Sequence, residues 1–327
     1  MIGRAPLKQL SLGSFGAPTV GAATFGEDLR ALANRVPLHV HLGTSSWAFP
    51  GWAGLVYDHK ATPTLLAQEG LAAYARHPLF RAVGIDRGFY APLSAEEFAR
   101  YAAAVPSEFR FLIKAPASIT DRALRDRTGT PIGDNSGFLD ADAAIAAFIE
   151  PACAGLGERA GPLLFQLSPM PNSLHVARII AELDRFLARL PKGPLYAVEV
   201  RDASLATAEL CTTLSEHGVR YAVGLHPRMP DAKHQLALAA SQPPGPLVVR
   251  WNLTRLATAP QRYDEAKRSF APFDAIQAPD DATVSTLAEA IAEHAHAVFL
   301  IANNKAEGAA PLTLRRIADA AFAKKAQ

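Results

Sequence analysis

The chain has 327 residues, of which 49% are hydrophobic and 20% are charged, and its formal net charge at pH 7 is +2. This composition is that of an ordinary globular protein that can bury a sizeable core, in one large domain or in two smaller ones. Its Lys and Arg residues form no long basic run, which disfavours a general nucleic-acid-binding protein.

The cysteines and the hydropathy of the sequence indicate the cellular compartment of the protein. Its two cysteines, Cys153 and Cys211, are far apart and show no Cys-x-x-Cys spacing, so neither a disulfide framework nor a structural zinc site is indicated. No stretch reaches ~18 uncharged apolar residues, and the N-terminus lacks the unbroken apolar segment of a secretory signal. We therefore expect a cytoplasmic protein that does not associate with membranes.

The predicted elements begin after an N-terminal extension. Residues 1–35 carry scattered Gly, Ser, Pro and Thr and predict a loosely ordered segment that ends in a short helix at 27–34. From residue 36 onward, short apolar runs alternate with longer helical patterns, which is typical of successive βα units and a parallel sheet. The apolar runs cover residues 39–44, 82–86, 109–114, 162–166, 196–201, 220–225, 247–251 and 297–302.

Eight such runs are the number that closes a barrel. The sequence therefore predicts an α/β protein whose residues 36–327 form a single (β/α)8 barrel domain. Helix signals lie between the runs: Ser94 and Glu97 have the spacing of a capping box, and Pro63 and Pro311 are placed for first helical turns. Two longer loops, 122–137 and 257–281, follow predicted strands and are expected on the face where the carboxyl ends of the strands meet.

Short motifs at the ends of the predicted strands are similar to those of one known family. The first is Leu42-Gly-Thr-Ser-Ser-Trp-Ala-Phe-Pro-Gly-Trp52, and the second is Val83-Gly-Ile-Asp-Arg-Gly-Phe-Tyr90. The others follow in the same order: Phe109-Arg-Phe-Leu-Ile-Lys-Ala-Pro116, Leu164-Phe-Gln-Leu-Ser-Pro169, Ala197-Val-Glu-Val-Arg201 and Asn303-Asn304. Over residues 38–320 the chain resembles the YecE-like family, a domain of unknown function with a TIM-barrel fold.

The chain departs from the family pattern at several polar positions. The family usually has Glu and Asn where this chain has Gly84 and Asp86, and a His where it has Asp121. The seventh predicted strand ends in Val-Arg-Trp-Asn, at residues 249–252, instead of Arg-Leu-His-Gly. The resemblance thus implies the fold, and it implies no particular reaction.

Candidate site residues are the polar and aromatic side chains at the carboxyl ends of the predicted strands, because that face of a barrel carries the active site. We predict Glu199 and Lys114 as catalytic residues. The predicted ligand-binding residues are Ser45, Trp47, Asp86, Tyr90, Gln166, Arg201, Arg250, Asn252, Asn303 and Asn304.

Glu199, Arg201 and Lys114 carry the main hypothesis. Residues 199 and 201 are two apart on a strand and share a face, so a general acid or base would lie beside a basic clamp for phosphate or carboxylate. The alternative is a buried ion network that only braces the barrel. Lys114 also suits a Schiff base if its pKa is depressed.

Two aromatic and two asparagine candidates have alternative interpretations. Trp47 and Tyr90 could form a stacking surface for a sugar ring or a base, or they could plug the barrel mouth or pack on the first helix. Asn303 and Asn304 could bind a ligand by hydrogen bonds, or they could turn the loop after the last strand.

The sequence favours a barrel that binds a small anionic or polyhydroxylated ligand at its C-terminal mouth, as a hydrolase or isomerase. A non-catalytic ligand-binding or sensing barrel is the alternative, and a metal-dependent nuclease-like barrel using Asp86, Glu199 and His226 is a third possibility. No Walker loop, zinc-protease motif or nucleophile elbow is present, so we expect neither a cofactor nor a bound metal. No feature of the sequence indicates an oligomeric state.

Overall fold

A computed structural model describes residues 19–126, 130–170 and 175–323. The strands in this part of the chain are β1 (Val40–Thr44), β2 (Phe80–Ile85), β3 (Arg110–Lys114), β4 (Ala123–Arg125), β5 (Pro131–Asp134), β6 (Ala160–Gln166), β7 (Tyr196–Glu199), β8 (Arg220–Leu225), β9 (Leu247–Trp251) and β10 (Val298–Ala302).

The helices are α1 (Glu27–Arg35), α2 (Pro63–Tyr74), α3 (Ala95–Ala103), α4 (Ala117–Thr120), α5 (Ala141–Ala144), α6 (Glu150–Leu156), α7 (Val176–Ala188), α8 (Ala208–Glu216), α9 (Ala232–Ala240), α10 (Tyr263–Ser269), α11 (Asp281–Glu293) and α12 (Ala310–Phe322). A π-helical turn, Ile145–Ile149, joins α5 to α6. Within the described residues, no helix combines the length and the apolar character that a membrane crossing needs.

The predicted (β/α)8 barrel is confirmed. Eight strands form a closed barrel in the order β1-β10-β9-β8-β7-β6-β3-β2, and every pairing within it is parallel. Each of the eight apolar runs found in the sequence coincides with one of these strands. The runs are almost continuously apolar because helices cover the outside of a parallel barrel while side chains fill its inside.

The barrel interior holds a compact apolar layer below the mouth. It consists of Ala82, Leu112, Leu164, Ala197, Ala222, Val248, Phe299 and Ile301. Strand side chains alternate between faces with a period of two, so residues two and four positions after this layer also face the barrel axis. This register directs the polar residues at the strand ends into the mouth.

The described part of the N-terminal extension packs against the last helix. Helix α1 occupies the predicted position and extends one residue further, and its Leu29 and Leu32 are buried. Arg35 Nε donates to the carbonyl oxygen of Phe322 at 2.9 Å, and Asp28 pairs with Arg315. Residues 1–18, where the sequence predicts loose order, lie outside the described residues.

Both long loops predicted from the sequence contain regular structure. The 122–137 segment forms an antiparallel hairpin of β4 and β5, and the 257–281 segment contains α10. The sequence did not indicate the β4–β5 pairing, because β5 is exposed along its whole length and so lacks the apolar alternation that marks a half-buried strand.

The capping box predicted before α3 is present, and it gives a test of local stability. Glu97 N donates to Ser94 Oγ, and Ser94 N donates to the Glu97 carboxylate at 3.0 Å. Ser94→Ala should lower the free energy of unfolding by about 1 kcal/mol because the Glu97 amide loses its acceptor. Urea denaturation measures this change. Ser107→Ala, at an exposed turn, should change it by less than about 0.5 kcal/mol, and equal losses in the two variants would contradict the assignment.

Candidate functional site

A fully buried carboxylate forms the floor of the barrel mouth. Glu199, the last residue of β7, is 0% exposed. Its two side-chain oxygens accept hydrogen bonds from a residue just after β7 and from the end of β9, which lies two strands away in the barrel. Oε1 lies 2.7 Å from Arg201 Nη2 and 3.1 Å from Asn252 Nδ2, while Oε2 lies 2.7 Å from Arg250 Nη1. A Cβ atom at Gly224 of β8 would lie 2.8 Å from the Glu199 Cγ, so the glycine leaves the space that this side chain occupies.

Gln166 joins the same network from β6. Its Oε1 accepts from Arg201 Nη2 at 3.0 Å and from Arg250 Nη1 at 2.9 Å. The two guanidinium groups are therefore held in place by a carboxylate and an amide together. Such multidentate contacts fix the orientation of arginine side chains more firmly than a single ion pair does.

The electrostatics keep Glu199 charged. Burial alone would raise the pKa of Glu199, but the positive charges of Arg201 and Arg250 outweigh it and hold this pKa below its usual range. Burial works against the charge of Arg250 too, yet Glu199 and Asp86 raise the pKa of Arg250 above its ordinary value. A carboxylate with both oxygens engaged and a lowered pKa is an anchor for the arginines and a poor general acid or base.

Above this floor lies an open cavity of about 290 Å³. Its size is near the lower end of the range for small-molecule sites, about 300 to 1,000 Å³. The lining side chains come from several strand ends and loops: Asp86, Phe89, Tyr90, Lys114, Gln166, Pro169, Arg201, His226, Arg228, Arg250, Tyr263 and Asn303.

Positive charge dominates the cavity wall. Four cationic side chains line it, Lys114, Arg201, Arg228 and Arg250, against the single carboxylate of Asp86. Asp86 lies 3.4 Å from Arg250 Nη2 and is 38% exposed at its side chain. Within the described residues, the buried Nε atoms of Arg201 and Arg250 have no hydrogen-bond partner.

Lys114 ends β3 and is almost fully buried, with 9% of its surface exposed. Its Nζ lies 3.5 Å from the centroid of the Phe89 ring, in a cation–π contact. In the described part of the chain it has no carboxylate within ion-pair distance. Burial lowers the pKa of Lys114 to about 8, and the negative charge of Asp86 opposes this shift.

His226 is a neutral donor at the edge of the cavity. Burial, followed by the charges of Arg201 and Arg228, lowers the pKa of His226 to about 4. Its Nδ1 lies 3.2 Å from the backbone N of Arg228 and accepts that hydrogen bond, so the proton of the neutral ring resides on Nε2. The ring stacks on Tyr263 of α10 at a centroid distance of 6.0 Å.

Most of the candidate residues from the sequence converge on this mouth. Asp86, Tyr90, Lys114, Gln166, Arg201, Arg250 and Asn303 line the cavity. Glu199 and Asn252 lie beneath it in the hydrogen-bonded floor. Ser45 does not line the cavity, but its Oγ accepts a hydrogen bond from the Nδ2 of Asn303, which does, at 2.9 Å.

Two further candidates, Trp47 and Asn304, belong to neither the cavity wall nor its floor. Trp47 is buried, with its indole nitrogen donating to the Leu66 carbonyl oxygen at 3.0 Å, so it packs within the core and presents no stacking surface. Asn304 directs its Oδ1 to the indole nitrogen of Trp52 and to the backbone N of Ala310. It therefore fixes the start of α12, as expected for the residue that follows the inward-facing Asn303.

Several residues that line the cavity were not predicted from the sequence: Phe89, Pro169, Arg228 and Tyr263. His226 also lines it, and the sequence predicted that residue only as a metal ligand in the nuclease-like hypothesis. Arg228 lies three residues after the end of β8, a spacing that already indicates a mouth loop in a barrel. Tyr263 begins α10 inside the 257–281 segment, and no local pattern marks it as inward-facing.

The described residues contain no group of three or more His, Cys, Asp or Glu side chains placed to hold a metal ion. The nuclease-like hypothesis requires Asp86, Glu199 and His226 to share an ion. Both oxygens of Glu199 accept from cationic or amide donors, so a metal there would compete with Arg201 and Arg250 for the same lone pairs.

Comparison with known proteins agrees with the sequence motifs. Residues 41–327 match a family model described as "Protein of unknown function DUF72". The chain belongs to the DUF72 family. This is the YecE-like family that the strand-end motifs resemble, and the matched range contains every residue of the DUF72 cavity and its floor.

Solved DUF72 structures share the barrel. A DUF72 family protein from Enterococcus faecalis V583 is 17% identical, with a TM-score of 0.63 over 88% of this chain and 97% of that one. Another, from Thermotoga maritima MSB8, is 20% identical, with a TM-score of 0.58 over 85% of this chain and 97% of that one. Among curated proteins, no sequence matches this chain significantly.

Proposed function

We propose that this DUF72 barrel binds a small anionic ligand in the cavity at the carboxyl ends of its strands. The observation that carries the proposal is the excess of cationic side chains in the wall, where Lys114, Arg201, Arg228 and Arg250 face one carboxylate, Asp86. Guanidinium groups bind phosphate and carboxylate through charge-assisted hydrogen bonds. A ligand of this class offsets the cost of holding so many like charges in one partly desolvated space.

Uncharged polar groups in the wall extend the proposal to hydroxylated anions. Asn303, Tyr263 and the Nε2–H of His226 supply donors and acceptors for hydroxyl groups. The small volume of the cavity suits a metabolite of a few carbons. A phosphorylated or carboxylated polyol fits both the charge and the hydrogen-bonding groups.

Turnover at this cavity as a hydrolase or isomerase needs a group that moves a proton. Glu199 is poorly suited to this role because its two oxygens are engaged and its pKa is lowered. Lys114 and Asp86 line the cavity and are the better candidates. The pairing of the charged Glu199 with Arg201 and Arg250 favours a second candidate function, a non-catalytic sensing barrel in which the same arginines bind the ligand and no reaction follows.

The experiment is a titration with inorganic phosphate or sulfate, with ionic strength held constant by sodium chloride. We expect phosphate to raise the melting temperature, because a ligand at 100 times its Kd stabilises the folded state by about 2.7 kcal/mol. Differential scanning fluorimetry shows the shift, and calorimetric titration gives the Kd. Arg228→Gln should weaken phosphate binding by about tenfold, since one charged hydrogen-bond donor is removed.

Arg76→Gln is the matched control, because Arg76 is an exposed arginine outside the cavity lining. It should bind phosphate as the unchanged protein does. The proposal fails if phosphate stabilises no more than chloride at equal ionic strength. It also fails if the Arg76 and Arg228 variants respond alike.

A cytoplasmic location is part of the same proposal. Cys153 and Cys211 are both free cysteines, and Cys211 is buried. Unpaired thiols are typical of reducing compartments. Small anionic metabolites are the ligands that the proposed cavity would meet there.

A further inference from the structure

Lys114 differs from the other cations of the cavity wall. Arg201 and Arg250 are bound to Glu199, and Arg228 is exposed. Lys114 is buried, and among the described residues its Nζ contacts an aromatic ring and no carboxylate. The stability of the barrel gains little from an ammonium placed in this way, since a buried charge without a partner costs free energy.

We infer that Lys114 forms an imine with the carbonyl group of an anionic carbonyl compound, whose carboxylate or phosphate is bound by the arginines of the same cavity. The inference rests on the proposed anion-binding function and names the substrate class and the reacting group. The shared chemistry is a carbonyl carbon within a few bonds of an anionic group. A 2-oxo acid and a phosphorylated aldehyde or ketone both satisfy it.

The reaction is balanced without any further reagent. The neutral amine of Lys114 attacks the carbonyl carbon, a C–N bond forms, and the carbonyl oxygen takes up a proton to give a carbinolamine. The two amine protons account for the water: one passes from the nitrogen to the carbonyl oxygen as the carbinolamine forms, and the nitrogen loses the other as the C–O bond breaks and the hydroxyl group leaves as water. Asp86 lines the same cavity and is the carboxylate available to pass these protons.

The surroundings of Lys114 favour the reactive form of the amine. Burial lowers its pKa to about 8, so at pH 8 about half of the side chains are neutral, whereas an ordinary lysine is almost fully protonated there. The arginines that attract the anion also disfavour the ammonium form, because like charges repel. Phe89 and Pro169 give this part of the cavity wall an apolar surface.

The experiment traps the imine by reduction. The intact protein is incubated at pH 8 with pyruvate, with glyceraldehyde 3-phosphate, or with the uncharged analogues acetone and glyceraldehyde, each with sodium cyanoborohydride. Peptide mapping by mass spectrometry locates the reduced adduct. We expect Lys114 to be labelled at least tenfold more than any other lysine, and at least tenfold more by an anionic probe than by its uncharged analogue.

Lys305 supplies the internal control. It is half-buried near the mouth, and burial lowers its pKa as well, but its Nζ has the Asn303 Oδ1 acceptor at 3.4 Å and it does not line the cavity. Lys114→Arg keeps the charge and should abolish the main adduct, whereas Lys305→Arg should leave it unchanged. Mapping on the unchanged protein tests the inference even if the Lys114 variant does not fold.

The outcomes separate the two proposals. If phosphate binds and stabilises the protein but Lys114 is labelled no more than Lys305, the imine inference is wrong and anion binding stands. If neither binding nor selective labelling is found, both are wrong. If Lys114 is labelled selectively, the relative labelling by pyruvate and by the phosphorylated aldehyde distinguishes a carboxylate ligand from a phosphate ligand.

Discussion

Glu199→Gln is expected to lower the free energy of unfolding by about 3–5 kcal/mol, the usual cost of removing one partner from a buried ion pair. The substitution preserves the shape of the side chain but leaves Arg201 and Arg250 buried beside a neutral amide. In the unchanged protein both guanidinium groups lie 2.7 Å from a Glu199 oxygen. The single amide oxygen of the variant cannot neutralise their charges. Urea denaturation followed by circular dichroism measures the loss.

A surface ion pair provides the matched control. Arg189 and Asp142 are 2.7 Å apart, with side chains 58% and 77% exposed, so Asp142→Asn should change stability by no more than about 1 kcal/mol. Added sulfate should stabilise the Glu199 variant more than the unchanged protein, because it can bind the released arginines. Equal losses in the two variants would show that the Glu199 network contributes no more than a surface pair.

Lys114→Met is expected to stabilise the protein at pH 7 by about 1–3 kcal/mol. The pKa of Lys114 falls from an ordinary value of 10.5 to about 8 in the folded state, so folding disfavours its ammonium form by about 1.4 kcal/mol per pKa unit. Loss of the cation–π contact with Phe89 offsets part of this stabilisation. Methionine retains the length and the apolar stem of the side chain without the charge.

The pH dependence of the stability difference between Lys114→Met and the unchanged protein tests whether the charge of Lys114 causes it. Between pH 8 and pH 10.5 the unfolded chain holds the Lys114 proton and the folded chain does not, so the stability of the unchanged protein rises with pH in this window. The advantage of Lys114→Met is full below pH 8 and disappears toward pH 10.5. Denaturation at several pH values tests this, with the exposed Lys233→Met as the control. A variant less stable than the unchanged protein at pH 7 would contradict the assignment.

The barrel could be predicted from sequence because its strands carry a strong local signal. Segments such as Arg220–Leu225 and Leu247–Trp251 are short apolar runs with the same bounds in the prediction and in the structure. The β4–β5 hairpin could not be predicted in this way. The residues of β5 are exposed, and the pairing of Ala123 with Asp134 is set by backbone hydrogen bonds and not by apolar alternation.

Strand register predicts which side chains face the mouth, but it does not predict how they pair there. Lys114, Gln166 and Arg250 follow the apolar interior layer by two residues, and this spacing alone directs them into the mouth. What Glu199 does there depends on Arg250, which is 51 residues away in sequence. A general base and a permanently charged anchor have the same local sequence, and only the approach of a distant strand distinguishes them.

The composition of the cavity wall also determines which total charge the proposed ligand should carry. At neutral pH the four cations of the wall are only partly compensated by Asp86 and by Glu199 in the floor, which leaves two positive charges. A dianion brings the mouth to electroneutrality, whereas a monoanion or a zwitterion does not. Phosphate monoesters lose their second proton near pH 6, so the barrel would discriminate among ligands of similar shape by their state of ionisation.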